Sequence, residues 1–307
     1  MMNRRNFLQR GSLAAAAVTV APLAATAAPA KPALRVGFLS DVHVKPGAVP
    51  EEGMRRAFRH VNQYKPGVDF IINGGDAIMD ALKASKEKVQ QQWDVWNAAL
   101  KAANKLPIYH CIGNHDAWGW QMTEPEVRQD PLFDKKWVLK QHDMPERYYS
   151  FDKTNWRFIV LDSAQENNGG YIARIDEPQF AWLEKELRET PADMHICIVS
   201  HIPIVSFVSA VFSDKNEANG DWRISRALLH VDSRRLTDLF KSFPNIRCCL
   251  SGHIHMQDAV NYRGIQYYCN GAVSGNWWGG PFKDFAPAYA VFEFFKDGAV
   301  TRTMVDY

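Results

Sequence analysis

From residue 34 onward the chain alternates short β-rich runs with longer stretches of helical period. Strand-like runs occupy Leu34–Ser40, Val68–Asn73, Pro107–Cys111, Tyr148–Asp152, Arg157–Asp162, His195–Ser200, Ile246–Ser251, Gln257–Tyr262, Ile265–Asn270, Ala288–Phe295 and Val300–Asp306. Helices are expected over Glu51–Gln63, Lys83–Asn104, Pro178–Glu189 and Ser233–Phe243. The third has proline near its start, and its apolar residues Phe180, Leu183 and Leu187 recur at helical spacing. Lys153-Thr154-Asn155 and Asp297-Gly298 read as hairpin turns. Strand–helix alternation in the first half predicts parallel βαβ units, and the later hairpins predict added antiparallel strands. No internal repeat or linker interrupts residues 31–307, which read as a single α/β domain.

Residues 1–30 have a different pattern. Asn3-Arg4-Arg5-Asn6-Phe7-Leu8 precedes an alanine-rich apolar run that ends in Ala25-Thr26-Ala27 and Ala28-Pro29-Ala30. A basic start, an apolar middle and a small-residue end mark a secretory signal. The paired arginines resemble a bacterial twin-arginine signal, which addresses folded protein. The run is broken by Pro22 and is shorter than the ~20 residues of a membrane span. The expectation is a periplasmic or secreted protein without a stable membrane anchor.

The remaining composition is that of a globular protein: 307 residues, 46% hydrophobic, 23% charged, net charge +2. Three of the positive charges, Arg4, Arg5 and Arg10, lie in the leader, which leaves the body near neutral. That balance argues against a nucleic-acid surface. Cys111, Cys197, Cys248, Cys249 and Cys269 sit in or beside apolar runs and read mostly as core residues, with room for one disulfide.

The chemistry lies where five of the apolar runs end. They lead into Asp41-Val42-His43, Gly74-Gly75-Asp76, Gly113-Asn114-His115-Asp116, His201, and Gly252-His253-Ile254-His255. Ligands of open α/β sheets bind at the carboxyl ends of strands. If the backbone stays extended, residues i and i+2 share a face. Asp41 with His43, and His253 with His255, would then face one site, while Val42 and Ile254 point into the core.

These five blocks, in order, resemble those of the calcineurin-like metallophosphoesterases, over residues 34 to about 260. The resemblance implies a four-layer αββα sandwich of two mixed sheets with a dinuclear metal site at the strand ends. It implies one metal on Asp41, His43, Asp76 and His255, and another on Asp76, Asn114, His201 and His253. His115 would face the substrate as acid or charge stabiliser, and Asp116 would orient its ring. Imidazole, carboxylate and amide ligands without thiolate suit Mn, Fe or Zn, as two divalent or mixed-valence ions. A hydroxide held between them would attack a small-molecule phosphate ester. Arg147–Asp152, Trp156–Ser163 and Gln179-x-x-Trp182-Leu183 look like the cyclic-nucleotide and glycerophosphodiester phosphodiesterase branch. A diesterase is therefore expected ahead of a phosphomonoesterase. A catalytically silent scaffold fits poorly, because such scaffolds usually lack ligands and none is missing here.

Trp118, Trp120, Trp277 and Trp278 lie near these blocks in sequence, either as loop packing or as a stacking wall. The stretch Ser206–Asp221, with Phe207 and Phe212, reads as a loop that could cover the site or contact a partner. His60, His110, His142, His195 and His230 match no block and read as structural or surface residues.

Overall fold

Two sheets lie face to face in a computed structural model that describes residues 31–212 and 217–307. The leader and its proposed cleavage sites lie outside the described residues. The first sheet has the order β13-β12-β1-β2-β3. Its parallel centre is β1 (Leu34–Leu39), β2 (Phe70–Asn73) and β3 (Ile108–His110), extended antiparallel by β12 (Ala288–Phe294) and β13 (Val300–Asp306). The second has the order β10-β11-β9-β8-β5-β4. Here β5 (Trp156–Leu161), β8 (His195–Ser200), β9 (Ile246–Ser251) and β11 (Ile265–Cys269) run parallel. The antiparallel edges are β4 (Tyr149–Lys153) and β10 (Asp258–Tyr262). A separate hairpin joins β6 (Ala164–Glu166) to β7 (Tyr171–Ala173).

Side-chain alternation builds the layers. Val36, Phe38, Phe70, Ile72, Phe158, Val160, Cys197, Val199, Phe292 and Phe294 fill the space between the sheets. Neighbouring residues on the same strands, Leu39, Ile71 and Val291, face outward to α1 (Ala48–Gln63) and α2 (Lys86–Ala103). On the opposite side Ile159, Leu161, Ile196 and Ile198 meet Leu183 and Leu187 of α5 (Glu177–Glu189), and Leu236 and Phe240 of α7 (Ser233–Phe240). Because both faces of each sheet are covered, the central strands are apolar throughout. The result is the expected four-layer αββα sandwich. All five cysteines are buried and free, and Cys248 and Cys249 face opposite layers, so the structure has no disulfide.

The helix boundaries follow their caps. α2 starts after Ser85, whose hydroxyl accepts from Lys88 N, three residues later than expected. α5 starts after Asp176, which caps Gln179 N at 3.0 Å. α7 ends before Phe243 because Pro244 disfavours helical backbone in the residue before it. Three short helices were not expected: α3 (Pro125–Gln129), α4 (Lys136–Gln141) and α6 (Val208–Phe212). The β6–β7 hairpin was missed because three-residue strands carry little periodicity. Its signal is the turn Asn167-Asn168-Gly169-Gly170, with Asn168 and Gly169 at positive φ.

Candidate metal centre

All five chain crossings deliver their polar residues to one place, at the carboxyl ends of β1, β2, β3, β8 and β9. The backbone that does this is not the extended one expected from i, i+2 spacing. Asp41, His43, Asp76, His253 and His255 all have left-handed φ, between 47° and 71°. Each such non-glycine residue costs on the order of 1–3 kcal/mol and persists only where its surroundings fix it. Here the fixing is visible: Asp41 N, His43 N and Val44 N donate to the carbonyls of Gly75, Asp76 and Ala77, each at 3.0 Å. Val42 and Ile254 are fully buried and point away into the core, as expected.

Two clusters of acceptor atoms result. In one, His43 Nε2 lies 3.1 Å from His255 Nε2, and the unpaired Asp41 Oδ1 lies 3.4 Å from His255 Nε2 and 3.8 Å from His43 Nε2. In the other, His201 Nε2 lies 3.2 Å from each of Asp76 Oδ2, Asn114 Oδ1 and His253 Nδ1. Asp76 Oδ2 joins the clusters, since it is also 3.6 Å from His43 Nε2. His115 enters a further group with His43 and Asp76. Each group could hold a metal ion.

Hydrogen bonds behind the rings select the inward atom. His201 Nδ1 donates to Gly74 O at 2.9 Å, His255 Nδ1 to Gly275 O at 2.5 Å, and His253 Nε2 to Ala227 O at 2.9 Å. Lone pairs therefore face inward at His201 Nε2, His255 Nε2 and His253 Nδ1, as metal-binding imidazoles require. Asp41 Oδ2 is likewise held, by Ser40 Oγ at 2.5 Å and His253 N at 2.9 Å, which leaves Oδ1 as a buried carboxylate oxygen turned to His255 Nε2 at 3.4 Å and without a full hydrogen bond. A buried carboxylate oxygen left short of a hydrogen bond is costly, and a cation would satisfy it.

Electrostatics point the same way. Burial opposes ionisation of Asp41 and Asp76, yet the surrounding histidines hold both carboxyls well below the usual range. Burial also opposes a charge on His201, but Asp76 and Asp41 raise it to about 9. His255 rises against its burial through Asp41, whereas burial pushes His43 and His253 down to about 3. The pocket is built for positive charge.

One role differs from expectation. Asp116 does not orient the His115 ring. Its oxygens accept from Asp76 N (3.0 Å), Ala77 N (2.9 Å), Ile78 N (3.4 Å) and Gly113 N (2.9 Å), while His115 Nδ1 has no partner. Burial and the nearby Asp76 push the Asp116 carboxyl up to about 6, against those four amides. It clamps the loop after β2 to the loop after β3. Gly113 works with it, because a Cβ there would overlap both the amide nitrogen and Oδ1 of Asp76. Gly113→Ala should therefore displace Asp76 and lower bound metal and turnover together, by roughly tenfold or more for a ligand moved by even 1 Å. Metal analysis of the purified variant checks this, and full metal content with normal turnover would contradict it.

The surroundings of the centre hold residues the motifs do not mark. Tyr171, on β7, packs its ring edge-on to His253 at 6.1 Å. Ser274 donates to Asp41 O at 2.7 Å, and Trp278 Nε1 to His43 O at 3.1 Å, so the loop 272–280 is tied to both strand-end residues. Trp118 and Trp120 are buried loop packing, hydrogen-bonded to Ala84 O and Asp134 Oδ1. Trp277, by contrast, reaches the centre. In the segment after β8, Asp258 Oδ2 accepts from Ser206 Oγ, Phe207 N and Val208 N. Phe207 is exposed there, and Phe212 is half-buried against Phe282.

Residues 34–257 match the family model described as calcineurin-like phosphoesterase. Among characterised proteins, the chain is similar to a 3',5'-cyclic-nucleotide phosphodiesterase of Nostoc sp., with 21% identity over 76% of each chain. It is also similar to a 3',5'-cyclic adenosine monophosphate phosphodiesterase of Haemophilus influenzae, with 20% identity over 77% of this chain and 75% of that one. Among solved structures, a dimetal phosphatase from Danio rerio superposes with a TM-score of 0.61 at 16% identity, over 90% of this chain and all of that one. A purple acid phosphatase from yellow lupin (Lupinus luteus) seeds gives 0.56 at 15% identity, covering 88% of this chain and 51% of the other. The structural likenesses establish the fold, and the family match spans most of the described chain: the protein belongs to the calcineurin-like phosphoesterase family.

Proposed function

We propose that the protein is a metal-dependent phosphodiesterase acting on small-molecule diesters, with cyclic nucleotides the leading class. The observation that carries this reading is the pair of acceptor clusters joined through Asp76 Oδ2, with Asp41 Oδ1 buried and unpaired beside it. Asp41, His43, Asp76 and His255 would hold one ion, and Asp76, Asn114, His201 and His253 the other. Mn, Fe and Zn all suit these donors. Two such ions supply Lewis acidity and a water activated at neutral pH.

The chain's own groups do the rest. Asp41 and Asp76 return only two negative charges, so the loaded centre keeps a net positive charge that draws a phosphate anion. Carbonyls 74, 227 and 275 hold three imidazoles in the ligating tautomer. His115 stands beside His43, ring centroids 4.9 Å apart, where it can donate a proton to the leaving oxygen. The cyclic-nucleotide phosphodiesterases among the relatives support a diester over a monoester.

A substrate panel tests the reading: bis(p-nitrophenyl) phosphate, p-nitrophenyl phosphate, a 3',5'-cyclic nucleotide and a glycerophosphodiester, each with Mn, Zn and Fe. Faster turnover of diesters supports it. Faster monoester hydrolysis makes the protein a phosphomonoesterase, and no hydrolysis with any metal makes it a scaffold.

From the paired arginines of the leader we infer that the enzyme works outside the cytoplasm. Arg4→Lys with Arg5→Lys should leave the precursor in the cytoplasm of a bacterial host. Fractionation checks this, and an undiminished periplasmic yield would refute the twin-arginine route.

A further inference from the structure

Among the described residues, Trp277 is the large apolar side chain left open at the candidate metal centre. Its ring centroid is 4.4 Å from that of His255, tilted by 33°, and 5.9 Å from that of His43. Phe282 packs edge-on against it at 5.6 Å and 86°, and Phe212 stacks on Phe282 at 5.8 Å, so an aromatic wall runs outward from the His43/His255 side. The indole is nonetheless 36% exposed.

The sequence does not place it there by default. Trp277 and Trp278 both adopt left-handed backbone, with φ of 46° and 73°, a conformation bulky side chains avoid. The loop holds them in it through Trp278 N to Ser274 O (2.8 Å), Asn276 N to Gly280 O (2.9 Å) and Gly279 N to Asn276 O (2.7 Å). Trp278 turns inward, against Gly53 and the His43 carbonyl. Trp277 is turned the other way, with its ring against His255 and partly open to solvent. A strained loop that exposes an indole beside two candidate ligands has the form of a platform more than of packing.

We propose that Trp277 is the stacking platform for a planar aromatic group of the substrate, a nucleobase, on the His43/His255 side of the centre. The proposal rests on the phosphodiester reading only for where the phosphate sits. Every nucleobase has a π-face, so a lone tryptophan selects nucleotides over alkyl phosphodiesters without selecting among bases. Tyr171, on the His253 side, bounds the opposite flank.

Binding and turnover separate this proposal from the reading it builds on. Manganese-loaded full-length protein is titrated by calorimetry with adenosine 5'-monophosphate and with glycerol 3-phosphate, in the wild type, Trp277→Leu and Trp277→Phe. Loss of one stacking contact should weaken the adenosine nucleotide about tenfold or more in Trp277→Leu. Glycerol 3-phosphate should change less than about twofold, and Trp277→Phe should recover most of the loss. The same split should appear in KM, and not kcat, for a cyclic nucleotide against a glycerophosphodiester. Equal weakening of both ligands, or loss of bound manganese in Trp277→Leu, would make Trp277 a shield for His255 and overturn the platform. If Trp277→Leu does not fold, Trp277→Phe decides, in protein loaded with diamagnetic zinc, through the adenine proton resonances of the bound nucleotide: an upfield ring-current shift in the wild type that shrinks in the phenylalanine variant supports stacking, and no shift in the wild type refutes it. A wild type that prefers the adenosine nucleotide but hydrolyses no diester keeps the platform and sinks only the phosphodiesterase.

Discussion

Asp76→Asn should empty both metal positions at once. The carboxylate has no spare oxygen: Oδ1 accepts from His115 N at 2.7 Å, and Oδ2 faces His201 at 3.2 Å and His43 at 3.6 Å. An asparagine must choose between these duties. If its oxygen keeps the His115 amide, its NH2 points at the site where the ions would sit. If it flips, a donor meets the His115 N–H and the loop after β3 loses its tether. Either way two cations are left with Asp41 as the one carboxylate among the proposed ligands. Metal content should fall from about two ions per chain to below one, and turnover of bis(p-nitrophenyl) phosphate by on the order of 10³-fold or more, since both Lewis-acid positions are damaged. Metal analysis beside circular dichroism, to confirm that the variant is folded, measures this. Two full equivalents with wild-type turnover would remove Asp76 from the bridge.

The layers of this fold were legible because its central strands are covered on both faces. Phe38-Leu39, Ile71-Ile72 and Ile198-Val199 alternate between two buried environments, so each strand registers as an uninterrupted apolar run. The candidate site was legible for a related reason. A run that stops abruptly at Asp41, Asp76, Asn114, His201 or His253 leaves polar residues at one sheet edge, and five such stops mark one place.

The geometry at those stops was not legible. Extended i, i+2 spacing also brings Asp41 and His43 together, but by the wrong backbone. The real one uses left-handed φ at both, supported by carbonyls of residues 75–77 that lie far away in sequence. Such a conformation is imposed by tertiary contacts, and no local propensity announces it. Asp116 was misread for the same reason. An aspartate beside a histidine in sequence looks like an orienting partner, but its four amide donors come from residues 76–78 and 113, and only the folded loops reveal them. Tyr171 was overlooked because its strand is three residues long, although the Asn167–Gly170 turn beside it was a usable signal. For the four tryptophans, burial decides: Trp118 and Trp120 are packing, Trp278 half-buried support, and Trp277 the open face.

His115→Ala should separate chemistry from metal binding. Asn114 and His115 are adjacent but diverge: Asn114 Oδ1 lies 3.2 Å from His201 Nε2, whereas the His115 ring stands edge-on to His43, centroids 4.9 Å apart. The hydrogen bond to Asp76 comes from its backbone amide, so truncating the side chain leaves that bond in place. The residue as a whole is only half-buried, although its Nδ1 is itself buried without a protein partner. Removing a general acid costs about 10²–10⁴-fold in rate when the leaving oxygen is a poorly stabilised alkoxide. The cost should shrink for p-nitrophenolate, which leaves without a proton. The expected outcome is two ions retained, a large loss on an alkyl diester and a smaller one on bis(p-nitrophenyl) phosphate. Equal losses on the two substrates would assign His115 to holding the phosphate instead of protonating the leaving group. Loss of metal would make it a ligand, an outcome its grouping with His43 and Asp76 makes worth measuring.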